Sequence, residues 1–226
     1  METNKKITRQ RFNTDPAFER TRENVEEFKN AGKAVKVFKA AFRDVLIVAG
    51  DKKITNRLHS QAFRMLTTDP ASDRGQRSVA KGDLDIIKGF NFNSRNGLAE
   101  TMFVRQSIQI DRASGKVTVS IPEFVPRIRI QASPEASHFQ IVAVATAIDF
   151  ETGKYEYAVQ ETASLSWDRN TTSPISMELQ LPADSKLPIM VALGINFEQS
   201  INSKMYPLNS ATYNAAAIVE VNAPAP

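Results

Sequence analysis

Few residues in this chain could do chemistry. Only two histidines, His59 and His138, occur in 226 residues, and cysteine is absent. A thiolate nucleophile, a disulfide and a Cys-ligated metal are therefore excluded, and most His-based metal or acid–base sets lack members. A serine-hydrolase site needs a His held beside its nucleophile. No G-x-S-x-G elbow occurs, His138 precedes an apolar run, and the i+4 neighbour of His59 is Phe63. Both histidines read as surface or structural. Nothing marks a carboxylate pair for glycoside hydrolysis. Trp167, the single tryptophan, precedes Asp168-Arg169-Asn170 and reads as a core anchor rather than a sugar platform.

Two short motifs ask for a functional reading. Asn30-Ala31-Gly32-Lys33-Ala34 glances at a phosphate loop. It lacks the first Gly and the Ser/Thr after Lys, and it lies inside a helical stripe rather than after a strand. Gly32 reads instead as a place where another backbone comes close. The pattern I-D-x-x-[ST]-G-K occurs at 110–116 and again at 148–154. It has too few carboxylates for a calcium loop and suits a bulged hairpin turn with Asp at entry and Gly at exit. The expectation is a chain with no catalytic residue, no cofactor and no metal site, and not an enzyme.

The elements around these residues fall into two regimes. Residues 1–15 are polar and read as an extended tail. Asp15-Pro16 suits a helix start, since Asp caps free N–H groups and Pro tolerates the first turn. Phe28, Ala31, Val35, Phe38, Phe42, Val45 and Ala49 then follow in steps of three and four, one stripe along one helix ending at Gly50. Asp51 caps a second helix with Ile54, Leu58, Ala62 and Met65 inward. A third is predicted from Arg77 to Lys88.

After Gly89 the period becomes two. Strands are predicted around Met102–Ile110, Val117–Ile121, Ile128–Ile130, Tyr155–Ser164, Ile175–Leu181, Ile189–Glu198 and Tyr213–Val221. Residues 139–148 are apolar on both faces and read as a central strand. The fold class is α+β: a tail (1–15), a helical region (16–88) and a C-terminal antiparallel β-sandwich, Ig-like (89–226).

Charge is uneven. Residues 1–100 carry 20 Lys/Arg against 13 Asp/Glu, a net +7; residues 101–226 carry 9 against 12, a net −3. The start has no apolar signal core, and Val45–Ala49 is far too short to span a bilayer. The expected setting is cytoplasmic, or a particle released from the cell by a machine that needs no cleavable signal.

Several stretches carry a resemblance: Asp15-Pro16-Ala17-Phe18-Glu19-Arg20-Thr21-Arg22-Glu23-Asn24 with Glu27-Phe28, then Ala31-Gly32-Lys33-Ala34, Gly89-Phe90-Asn91-Phe92-Asn93, Leu193-Gly194-Ile195-Asn196-Phe197 and Met205-Tyr206-Pro207-Leu208. Together, from about residue 13 to 222, they resemble a family found in Bacteroidota-type bacteria. No activity comes with that resemblance, so no catalytic residue does. The chain departs from the family in its front segment, where members carry a longer Gly-rich stretch, and at Val35, where members tend to have Gly.

These readings converge on a self-assembling structural protein forming a filament, tube or shell. The predicted interface draws on the stripe Phe28, Val35, Phe38, Phe42 and Val45, part of it buried against the chain's own sandwich and part against a neighbour, together with the tail laid on the next copy; the competing reading is a helix packed wholly within its own chain and a disordered tail. The alternative is a nucleic-acid- or macromolecule-binding module using Arg9, Arg11, Arg20, Arg22, Lys33 and Lys36. Against it, Glu19, Glu23, Glu26 and Glu27 interleave with these cations, as on an ion-paired helix face. A hydrolase built on the sheets ranks third.

Overall fold

A computed structural model describes residues 8–208 and 213–224. Its helices are α1 (Arg9–Thr14), α2 (Glu19–Ala41), α3 (Arg43–Ala49), α4 (Ile54–Thr67), α5 (Leu98–Thr101) and α6 (Pro126–Arg129). Its strands are β1 (Ser107–Asp111), β2 (Lys116–Ile121), β3 (His138–Asp149), β4 (Lys154–Glu161), β5 (Leu165–Ser166), β6 (Ile175–Gln180), β7 (Ile189–Ile201), β8 (Lys204–Pro207) and β9 (Ala215–Asn222). The class is α+β with antiparallel sheets.

One six-stranded sheet organises the molecule. It runs β4-β3-β7-β8, with β5 on β3 and β9 on β7, and a three-stranded sheet runs β1-β2-β6. The order is not that of an Ig domain, which was expected. Strands β3 and β7 are apolar on both faces because both faces are covered. Val142, Val144, Ile148, Met190 and Ala192 meet the helices. Ile141, Ala143, Ala145, Val191 and Leu193 meet the small sheet, through Val117, Val119, Met177 and Leu179. Helices, large sheet and small sheet thus form three layers with two cores. The helical region and the large sheet share the first of those cores.

The long stripe breaks once. Phe42 leaves helical geometry at φ −107° and ψ 27°, between α2 and α3. Helix α2 covers β3 and β4, and α3 turns to cover β7 and β9. Gly50 ends α3; Asp51 accepts from Lys53 N at 2.7 Å but does not cap α4, whose N-cap position is Lys53 with no side-chain cap bond. Helix α4 buries Ile54, Leu58, Ala62 and Met65, as its spacing predicts.

Four expectations need correction. Arg9–Thr14 is a short helix capped by Thr8 Oγ1, not an extended tail; residues 1–7 of that tail lie outside the described residues. The third helix is two separate 3-10 turns, Val79–Lys81 and Leu84–Ile87, because Gly82-Asp83 interrupts the pattern. The strand expected from Met102 forms only from Ser107. The strand expected at Ile128–Ile130 is the single turn α6, started by Pro126.

Candidate functional site

The stripe is spent inside the chain. Val35, Phe38, Phe42 and Val45 are at most 5% exposed and belong to the helix–sheet core. Phe38 and Phe42 cluster with Phe92, ring centroids 4.6–6.1 Å apart. Four of the five residues expected at a joint between copies therefore lie in the chain's own core, because the large sheet presents an apolar face of matching length. Only Phe28 stands out, 62% exposed, its ring tilted by 37° against His59 at 3.9 Å between centroids. His59 Nε2 donates to Phe28 O at 3.1 Å. The neighbour of Gly32 is this His59 side chain, 4.0 Å from where a Cβ would sit, and not a second backbone as expected.

The basic set does not converge. Arg11 pairs with Asp15 at 3.2 Å. Arg22 donates to Phe12 O and Asp15 O, holding α1 to the start of α2. Lys33 donates to Asn30 Oδ1. Arg9, Arg20 and Lys36 are exposed, but Arg20 and Lys36 are separated by about 24 Å of helix.

Most of the stretches behind the family resemblance have intramolecular duties. Arg57 donates to Asn91 O and Phe92 O at 2.8 Å, with Phe90 beneath its guanidinium at 5.1 Å, so Gly89–Asn93 is a clasp between α4 and β9. A side chain on Gly194 would meet Val142 at 2.9 Å. The repeated I-D-x-x-[ST]-G-K segments are the β1–β2 and β3–β4 turns, and in each Asp binds its own turn. Asp111 takes Ser114 and Asp149 takes Thr152, each hydroxyl at 2.6 Å. Those hydroxyl bonds first, then backbone N–H groups, hold both carboxyls below the usual range.

One polar cluster joins a His, serines and a carboxylate. His138 Nδ1 lies 2.9 Å from Ser137 Oγ, and Nε2 lies 3.4 Å from Ser166 Oγ. Glu198, opposite His138 on β7, accepts from Ser164 Oγ at 2.5 Å. Ser137 Oγ also accepts Ser200 N at 2.8 Å, which ties β3 to β7. The carboxylate is bound to a serine and not to the imidazole, so the three are not arranged for base-assisted attack. Among the described residues no group of three His, Asp or Glu is gathered as a metal site, and no helix is long and apolar enough to cross a membrane.

Two surfaces were not foreseen. The β7–β8 hairpin extends beyond β3, turns at Asn202-Ser203 with positive φ, and bares Ile201, Met205 and Tyr206 at 43–48% exposure. The Met205-Tyr206-Pro207-Leu208 stretch lies on it. At the end of the sheets, Phe103 and Ile128 are 52% and 70% exposed among Arg105, Arg127, Arg129 and Arg169. Trp167 is half-buried there, its Nε1 donating to Ile130 O and its ring face covered by the Arg127 guanidinium at 3.7 Å. It is thus an anchor on one side and an arginine platform on the other. The one sequence signal for this site is the Arg127-Ile128-Arg129 triplet, whose alternation with Ile130 suggests a strand.

Comparison with protein-family models, with curated proteins and with solved structures gives no match to this chain.

Proposed function

We propose that this chain is a non-enzymatic structural protein that joins copies of itself into a filament, tube or shell, and that the joint uses the β7–β8 arm rather than the helix stripe. The observation that carries this reading is the arm itself. A two-stranded ribbon has no core of its own and is marginal in water. This one spends Ile201 and Tyr206 on one face and Met205 on the other, all exposed. Apolar area left open on both faces of a projecting element marks a contact surface. Lys204 and Pro207 on β8 discourage extension of the sheet edge, which favours side-chain docking of the arm over strand addition.

The test is light scattering and negative-stain microscopy of the full chain across concentration, beside Ile201→Ser/Tyr206→Ser. The expected result is a mass that grows with concentration, and a double variant that stays small with an unchanged circular dichroism spectrum. A wild-type chain that remains monomeric at high concentration overturns the reading. Salt separates it from the alternative of nucleic-acid binding through the front half. Phosphate contacts weaken steeply with salt, and apolar joints do not.

A further inference from the structure

The arginine-rimmed end of the sheets has a different chemistry from the arm and shares no residue with it. We propose that this surface, with Phe103 and Ile128 at its centre and Arg105, Arg127, Arg129 and Arg169 around them, docks an acidic polypeptide segment that also carries apolar side chains.

The frame is fixed before any partner arrives. Phe103 N donates to Arg129 O at 2.8 Å, Gln131 N donates to Thr101 O at 2.9 Å, and Met102 bridges Ile130. Val104, Phe124 and Ile130 are buried beneath. Pro126 starts the single turn α6, which throws Arg127, Ile128 and Arg129 outward together. Phe103 and Ile128 are therefore held open by backbone hydrogen bonds, not left there by a loose loop.

Four arginines share this surface with two carboxylates, Glu123 and Asp168, so the excess charge is positive. Residues 101–226 contain five arginines. Arg112 is consumed by the carbonyls of Ser185, Leu187 and Asn222. The other four are these, and among the described residues none of them makes an ion pair. The adjacent carboxylates do not answer them. Asp168 accepts from Asn170 N and Nδ2 at 2.8 Å, and Glu123 is exposed and unpaired. Arg127 donates its Nε to Trp167 O at 3.1 Å while resting on the Trp167 ring. That seat orders the guanidinium and leaves its two terminal nitrogens to face a partner. A planar fork held this way suits two-point binding of a carboxylate.

The apolar centre selects among anions. Ile128, the more exposed of the two central side chains, has no π face for stacked bases, so Phe103 alone offers an open ring. The Trp167 face, the natural base platform, is already covered by Arg127. Leucine- or phenylalanine-like side chains gain by covering Ile128 and Phe103, and carboxylates gain from the arginines around them.

Trp167, the only tryptophan, reports on this surface directly. The experiment titrates the full chain with a synthetic peptide alternating glutamate and leucine, following Trp167 emission and anisotropy of the labelled peptide. Binding is expected to weaken with added salt. It is expected to fall about tenfold or more in Arg127→Gln/Arg129→Gln and, separately, in Ile128→Ser, and to be unchanged in Lys33→Gln/Lys36→Gln. An all-glutamate peptide is expected to bind about tenfold more weakly than the alternating one. Phe103→Ser gives a second apolar variant should Ile128→Ser alter the circular dichroism. No binding, binding untouched by these variants, or tighter binding of an oligothymidine than of the acidic peptide overturns the proposal. Loss of self-association in Ile128→Ser also overturns it, since the occupant would then be a second copy. Because the arm variants above leave this surface intact, the two readings fail separately.

Discussion

The front of the chain and its back use surface in opposite ways. Residues 1–100 carry the aromatic stripe and most of the positive charge, yet the structure turns most of the stripe inward and engages several of the arginines within the chain. Val35, Phe38, Phe42 and Val45 are core. Arg22, Arg57, Arg74 and Arg77 serve the chain's own carbonyls and carboxylates. Residues 101–226 read as an ordinary acidic sheet region, yet they hold the uncommitted surface. Of the ten large hydrophobic side chains most exposed among the described residues, seven lie there. A stripe of buried-type residues says only that something covers it, and the nearest cover is the chain's own sheet. Net charge summed over a segment likewise says nothing of where four arginines meet.

The sharpest way to break this contrast is to charge the stripe. Phe42 is fully buried against Phe38 and Phe92. Phe42→Asp places an unpaired carboxylate in that core and removes a ring, a cost above about 4 kcal/mol. Urea unfolding followed by circular dichroism is expected to show a largely unfolded chain at any concentration. A folded Phe42→Asp chain that merely fails to assemble would return the stripe to the surface.

Next come the anchored arginines. Arg112 donates to Asn222 Oδ1, Asn222 O, Ser185 O and Leu187 O, and burial lowers its pKa without discharging it. Arg112→Ala strands half-buried carbonyls and is expected to cost about 3 kcal/mol. The exposed pair Arg127→Gln/Arg129→Gln is expected to stay within about 0.5 kcal/mol of the parent in the same assay. Equal losses would mean that the arginines around Ile128 are structural, and the distinction between spent and free cations would fall.

Acid gives a smaller effect and weighs the two halves again. Asp69 is nearly buried; desolvation raises its pKa, but N–H groups of Ser78, Ala71 and Ser72 together with the Ser72 hydroxyl outweigh that and leave it lowered. A carboxylate with a lowered folded pKa stabilises the fold above its unfolded value, about 3.9. That stability is lost as pH falls through the folded value. Stability is thus expected to hold from neutral pH to the ordinary carboxylate range and to drop below it. Asp69→Asn should be weaker at neutral pH and lose less on acidification. Asp111 and Asp149 sit in solvent-facing turns and should contribute less of the acid limb. An acid limb unchanged by Asp69→Asn but removed by Asp149→Asn would reverse the ranking.

What the sequence made legible was whatever repeats. The three–four spacing from Phe28 to Ala49 and the turn pairs at Asp111 and Asp149 are repeats, the double apolar face of β3 is an unbroken apolar run, and the mix of helix and antiparallel strand follows from them, although short helices also occur at Leu98–Thr101 and Pro126–Arg129. What it hid depends on tertiary context. Phe42 breaks the helix with neither Gly nor Pro, because two helical segments must each lie along a different part of a twisted sheet. Pro126 overrides the alternation of Arg127, Ile128, Arg129 and Ile130, and a four-residue turn carries too little pattern to compete. Strand β8 has no buried face, so no alternation signals it. The uncommitted surfaces were illegible for the same reason: exposure is a property of what fails to be covered, and the covering elements are distant in sequence.

The smallest expected effect is at Phe28, the one member of the stripe that escapes the core. Its ring rests on His59 in the open, while the bond from His59 Nε2 goes to the Phe28 carbonyl and survives a change of side chain. Phe28→Ser is therefore expected to shift stability by about 0.5 kcal/mol, the worth of one exposed ring contact. Phe38→Ser, about three turns further along α2 and 3% exposed, should cost several times more. The measurement is a pair of urea titrations run at low and at high protein concentration. An internal contact gives the same small shift at both. A shift for Phe28→Ser that grows with concentration would place this residue under another copy, and the start of α2 would then join the arm as part of the joint.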